Sequence, residues 1–119
     1  MSWFRRRQRT ADTFHTGHEG DNELLAQISQ HSNLNIPRHW VHYLYCPGQP
    51  AAEQAAREIH EQGWQIQALE QATPESEWVV VAKRTHAVMS PGAVQEARAF
   101  FEAVASRVRG QYDGWEASV

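Results

Sequence analysis

Gly110-Gln111-Tyr112-Asp113-Gly114-Trp115-Glu116-Ala117 decides the reading of this chain, because an Asp-Gly pair interrupts what is otherwise a closing β-strand. Glycine weakens a strand and marks a bulge, a bend or a close backbone approach. Asp113 then has two readings. In the first it shapes the bulge through a backbone N–H, Gly114 takes a positive φ and Trp115 fills the core. In the second its carboxylate stands beside an aromatic anchor at a binding edge. The strand stops close behind Trp115, so this end of the chain reads as a structural member.

Upstream lies a helix. Ser90 is its expected N-cap and Pro91 its first residue, and Val94, Ala97, Phe101, Val104 and Val108 recur on one face. Arg107 and Arg109 suit the negative end of the dipole and Gly110 the stop. Before it, Trp78 to Ala82 is apolar on both faces, as in a central strand, and the run continues towards Val88. Thr73-Pro74-Glu75-Ser76 supplies the preceding turn. Trp64 to Leu69 reads as another strand, with Trp64, Ile66 and Ala68 on one side and glutamines on the other.

Arg38 to Cys46 is rich in aromatic and β-branched residues and stops at Pro47-Gly48, a strand followed by a turn. A helix starting at Pro50 carries Ala52, Ala55, Ala56 and Ile59 on one stripe and stops at Gly63. The small side chains let it approach a sheet closely. An earlier short helix with Leu24, Leu25 and Ile28 on one face is expected to be capped by Asp21 or Asn22 and to end before Asn33. Residues 1–20 lack periodicity and read as a flexible, arginine-containing lead, with residues 21–119 forming one domain.

The order is β-α-β-β-α-β after an extra helix, the split βαβ arrangement of an α+β, ferredoxin-like fold. It places two helices on one face of a four-stranded antiparallel sheet. The first and third strands carry apolar or aromatic residues on both sides, so the other face calls for a cover. The N-terminal helix is the simplest cover; a second copy, giving a homodimer, and a protein ligand are the alternatives.

Composition bounds the function classes. A chain of 119 residues with 41% hydrophobic and 21% charged residues is long enough for one packed core, and its five tryptophans supply large apolar area. The lone Cys46 cannot form an internal disulfide and reads as a small buried hydrophobe, compatible with a reducing cytoplasm. Net charge is -3, with Arg5, Arg6, Arg7 and Arg9 gathered at the start, so the remainder is more acidic still. Such a body is a poor binder of generic polyanions, and the basic-glycine-aromatic signature of RNA-recognition strands is absent. No window is apolar enough to span a membrane, and no apolar segment follows the arginines as a twin-arginine signal requires.

The β-α-β-β-α-β body, the long last helix rich in Ala and Phe, and above all Tyr112-Asp113-Gly114-Trp115 resemble the regulator of ribonuclease E activity B (RraB) family over roughly residues 38–117. The resemblance implies a non-enzymatic, ferredoxin-like protein that binds an endoribonuclease and restrains its cleavage of RNA, with no metal and no cofactor; a cytoplasmic location is expected from the lone cysteine and the lack of a membrane-spanning or export segment. Tyr112, Asp113, Gly114 and Trp115 are then the candidate partner-binding residues. The family's proteobacterial members are strongly acidic with an acidic C-terminal extension, whereas this sequence stops at Val119 and opens on arginines.

Catalytic constellations are weak. His39 and His42 are three apart on a strand and point to opposite faces, His15 and His18 lie in the lead, and His31, His60 and His86 belong to separate elements, which disfavours a shared metal. The alternative to a regulator is a small-ligand binder or enzyme enclosing a sheet face around Trp40, His42 and Trp78, with His39 or His42 as base. A face filled by side chains removes that alternative. No phosphate loop, nucleophile elbow or zinc-type cysteine spacing occurs.

Overall fold

The computed structural model describes residues 3–5, 14–73 and 77–119. Along the chain run β1 (Trp3–Arg5), α1 (Glu19–His31), β2 (Arg38–Cys46), α2 (Gln49–Glu61), β3 (Gln65–Gln71), β4 (Trp78–Ala87), α3 (Pro91–Val108) and β5 (Gln111–Ser118). All pairs in the sheet are antiparallel, in the order β1-β5-β2-β4-β3. The four expected strands β2 to β5 give the ferredoxin-like α+β architecture with its N-terminal helix. The short β1 adds a fifth strand at the edge of β5, with Phe4 opposite Ala117, inside the stretch that reads from sequence as lead. Arg6, Arg7 and Arg9 lie outside the described residues, as does most of the expected turn at residues 74–76.

Alternation sorts β2 cleanly. Trp40, Leu44 and Cys46 enter the main core, where Phe101, Val94 and Val104 of α3 and Ala52, Ala55 and Ile59 of α2 meet them. Val41 faces the other way with Val79 and Val81 of β4, flanked by Tyr43 and Tyr45. Each large side chain buried as fully as Phe101 contributes about 1.5–3 kcal/mol over leaving it in water. The alanines of α2 do what small residues allow: they bring its backbone close to the sheet.

Helix ends follow local chemistry. Ser90 Oγ accepts from Ala93 N at 3.1 Å, with Pro91 opening α3. At the other end the left-handed residue is Arg109, φ 59°, and not Gly110. Gly110 is needed for a different reason: a Cβ there would stand 2.4 Å from the Tyr45 carbonyl oxygen. The stop is thus an αL cap carried by arginine, followed by a glycine that lets β5 start against β2.

Three expectations are corrected. The N-cap of α1 is His18, whose Nδ1 accepts from Asp21 N at 3.1 Å, while Asn22 Oδ1 accepts from Thr16 N and Asp21 turns inward. Leu24, Leu25 and Ile28 join the same core as α2 and α3, so α1 packs beside them and does not cover the opposite sheet face. Lastly, a β-bulge between Ile66 and Ala68 reverses the alternation of β3. Ile66 and Leu69 therefore pack on the helix side, and Ala68 packs with the Val41 cluster.

Candidate functional site

The C-terminal motif is built around a bulge. Trp115 stands opposite His42 and Tyr112 opposite Leu44, so Asp113 and Gly114 together oppose Tyr43. Tyr112 and Trp115 are three residues apart, a spacing that puts side chains on opposite faces of a regular strand. The extra residue brings both to the helix side, and Gly114 supplies the required φ of +96°.

Both aromatic residues are then held by polar partners. Trp115 Nε1 donates to Asp21 Oδ1 at 2.9 Å, and Arg98 grips the same carboxylate through Nε to Oδ2 at 2.6 Å and Nη2 to Oδ1 at 3.0 Å. This cluster joins α1, α3 and β5. Its Asp21 side chain is only 3% exposed, so the bidentate pair is partly desolvated and charge-assisted. Burial lowers the Arg98 pKa, and hydrogen bonding and attraction to Asp21 more than reverse that, leaving it raised and firmly charged. The His18 Nδ1 that lies 3.4 Å from Asp21 already accepts from a backbone N–H, so this contact is not an ion pair in the neutral ring.

Tyr112 stacks on Phe101 with ring centroids 5.5 Å apart, and its hydroxyl hydrogen-bonds His42 Nδ1 at 2.7 Å. His42 stacks on Phe101 at 4.2 Å and meets Trp64 edge-on at 4.7 Å. Burial first, then the charges of Arg84 and Arg98, holds its pKa well below the usual imidazole range. It is a neutral core histidine. Its Nε2, like Trp40 Nε1, is buried with no hydrogen-bond partner among the described residues.

These positions put the residues of the enclosed sheet-face alternative on the helix side of the sheet and not on its open side. Trp40 and His42 face the helices and are 2% and 1% exposed, and Trp78 packs against the same core. The His42 ring is packed between Phe101 and Trp64, and Trp40 against Trp115. Among the described residues no group of three or more His, Cys, Asp or Glu side chains is placed to hold a metal ion.

What remains accessible near the motif is the other side of the sheet. Asp113 is exposed at the bulge opposite Tyr43. Tyr43 donates its hydroxyl proton to Glu116 Oε1, and Tyr43 and Tyr45 flank Val41, Val79 and Val81. No described helix packs over these valines. Sequence reasoning found the bulge and the inward Trp115 but missed Asp21 and Arg98, which are 77 positions apart. Only the pairing of an acid on an apolar helix face with an arginine on another hinted at them.

Among protein families, the one described as regulator of ribonuclease activity B matches residues 18–117, which includes α1, the Asp21–Arg98–Trp115 cluster and the bulge. No curated protein matches the sequence.

Proposed function

The chain belongs to the regulator of ribonuclease activity B family, and from that premise we propose that it is a non-enzymatic regulator that binds an endoribonuclease of the E type and restrains its cleavage of RNA. The family match carries the reading. The site chemistry is in keeping with it: the motif's aromatic residues brace the fold, and His42 is buried neutral where a base would need access. A regulator of this kind works by occupying its partner's surface and not by turning over a substrate.

The partner is received on the uncovered sheet face and its edge. Asp113 gives the motif its exposed carboxylate, Gly114 the bulge that presents it, and Tyr112 and Trp115 the rigid backing. Tyr43 and Tyr45 add aromatic area of the sort that anchors protein interfaces. The protein acts in the cytoplasm, in keeping with the single reduced Cys46, and no described helix is long and apolar enough to cross a membrane.

The test is direct. Purified chain added to a purified E-type endoribonuclease should lower the cleavage rate of a fluorescent RNA in a saturable way. Asp113→Lys should raise the concentration needed by about tenfold while leaving the melting temperature unchanged. An unaltered cleavage rate at saturating chain would overturn the proposal.

A further inference from the structure

The sheet is stepped where β3 begins. Gln65, the first residue of β3, stands opposite Lys83, so β4 runs on through Arg84, Thr85 and His86 past the end of its neighbour. The step holds a cleft of about 260 Å3 lined by Gly63, Gln65, Lys83, Arg84, Thr85 and His86. Lys83 and Arg84 are adjacent in a strand, so their side chains leave on opposite faces. Inside a sheet that would part them. Here both line one space, because no β3 residue is paired with Arg84, Thr85 or His86 to divide it.

The lining is cationic and no acid answers it. Arg98 is paired with Asp21 and Arg107 with Glu58, but no carboxylate stands within ion-pair distance of Lys83 or Arg84 among the described residues. The Arg84 guanidinium lies 3.9 Å over the Trp64 ring and donates through Nη2 to the Gln62 carbonyl at 2.9 Å. These contacts hold the group in place and leave most of its N–H donors unused. Burial lowers its pKa, with no neighbouring acid to offset the effect. Thr85 Oγ1 and His86 Nδ1 share a hydrogen bond at 3.2 Å. One bond between a hydroxyl and a neutral imidazole consumes one donor, so an O–H or an N–H remains for a ligand. Gly63, at φ +89°, carries no side chain beside them; a Cβ there would stand 3.8 Å from Arg84 Nη2 and cover part of the guanidinium edge.

These donors select an occupant. An ammonium, a guanidinium, the Thr85–His86 pair and the Gln65 amide reach the cleft from both faces of the sheet, in a chain whose net charge is -3. A carboxylate offers two coplanar oxygens and a single charge. A phosphate monoester offers three oxygens in a tetrahedral spread and a charge of about −1.5 to −2 at neutral pH, which fits donors arriving from several directions. Sites for whole small molecules run to roughly 300–1,000 Å3, so this space takes a phosphate with little else attached. We infer that the step between β3 and β4 is a phosphate-binding site, with Lys83 and Arg84 supplying the charge and Gln65, Thr85 and His86 the remaining hydrogen bonds. Its ligand is inorganic phosphate or the phosphate group of a small phosphorylated molecule. The ribonuclease reading calls for no such ligand, so the site goes beyond it.

The experiment is an NMR titration of the isotope-labelled full chain with sodium phosphate, against sodium chloride at equal ionic strength. Phosphate should move the amides of Gly63, Gln65 and residues 83–86 along saturating curves, and chloride should not. Lys83→Gln and Arg84→Gln should each weaken binding about tenfold while the rest of the spectrum stays in place. Lys83 has no ion-pair partner to lose, so its variant decides the matter even if loss of the Arg84–Gln62 bond disturbs the end of α2. As the chain's only lysine, Lys83 also gives a chemical readout. Acetylation of its amine, located by peptide mapping, should slow several-fold in phosphate and not in matched chloride. Glycerol phosphate binding at least as tightly as inorganic phosphate assigns the site to phosphorylated molecules, and weaker binding assigns it to the free ion. Acetate binding as tightly as phosphate would overturn the inference by removing the selectivity. A single-stranded RNA with hydroxyl ends binding more tightly than either phosphate would also overturn it, by showing a nucleic-acid surface. Shifts that match those in chloride, or affinity indifferent to Lys83→Gln, would do the same. Cleavage assays in phosphate-free buffer read the ribonuclease proposal separately, so either claim can fail while the other stands.

Discussion

Asp21→Asn should be one of the most damaging single-atom changes in this protein. The carboxylate receives three donors, Arg98 Nε at 2.6 Å, Arg98 Nη2 at 3.0 Å and Trp115 Nε1 at 2.9 Å. An asparagine of the same shape keeps one acceptor oxygen and turns the other position into a donor. It therefore satisfies either the Arg98 Nε side or the side shared by Arg98 Nη2 and Trp115, and opposes an N–H with an NH2 on the other. Losing one partner of a buried ion pair costs about 3–5 kcal/mol. Arg98 retains 14% exposure and can recruit water, so we place the cost nearer about 2–4 kcal/mol, against a total of about 5–15 kcal/mol for a domain of this kind. Urea unfolding monitored by tryptophan emission measures it. Trp115→Phe, which removes only the indole donor and some ring area, should cost about 1.5–3 kcal/mol. Asp21→Ala combined with Trp115→Phe should lose less than the sum of the two by about 1 kcal/mol, because each change alone breaks the indole–carboxylate bond. A cost below about 0.5 kcal/mol for Asp21→Asn, or strict additivity of Asp21→Ala with Trp115→Phe, would refute the idea that this carboxylate joins α1 to α3 and β5.

Further outcomes follow from the same geometry. Gly114→Ala meets open space but forces an alanine to φ +96°, so it should cost about 1–2 kcal/mol in urea unfolding, and a neutral result would deny the bulge its conformational demand. Gly110→Ala has no φ problem yet drives a Cβ to 2.4 Å from the Tyr45 carbonyl oxygen, so its loss of stability should exceed that of Gly114→Ala; the reverse order would contradict the close approach of β5 to β2. His42 has its folded pKa well below its unfolded value near 6.5, so its contribution is fully present above that value and shrinks as pH falls towards the folded pKa, by at most about 1.4 kcal/mol per pH unit. His42→Gln should flatten the fall in urea midpoint between pH 7 and pH 5; an unchanged slope would place the titration elsewhere. Burial pushes the Cys46 thiol up to about 11, so a disulfide reagent at pH 8 should label native protein far more slowly than protein in urea, and equal rates would show the thiol to be accessible.

Much of the fold was legible because local chemistry agreed with the tertiary outcome. β2 and β5 occupy the stretches expected of them, and Ser90-Pro91 opens α3 as its capping chemistry requires. Failures came where a local signal had a competing long-range use. Asp21 has the chemistry of a cap, and a distant arginine and indole draw it into the interior while His18 takes the capping role. Ala68 changes sides because a bulge adds one residue to a period of two, and nothing in Ile66-Gln67-Ala68 announces it. For Trp40 and His42, alternation showed that they share a face but not which face, and choosing the open side produced the enclosed-cavity alternative. The bulge was visible at Asp113-Gly114 for the opposite reason: glycine inside a strand is costly enough to need a cause.

The central claim is that this chain restrains an E-type endoribonuclease by binding it, and mixing the purified proteins tests that most directly. Light scattering behind size-exclusion chromatography should show a discrete complex, with RNA cleavage falling in proportion to its formation. Two separately eluting proteins and an undiminished cleavage rate would contradict the account.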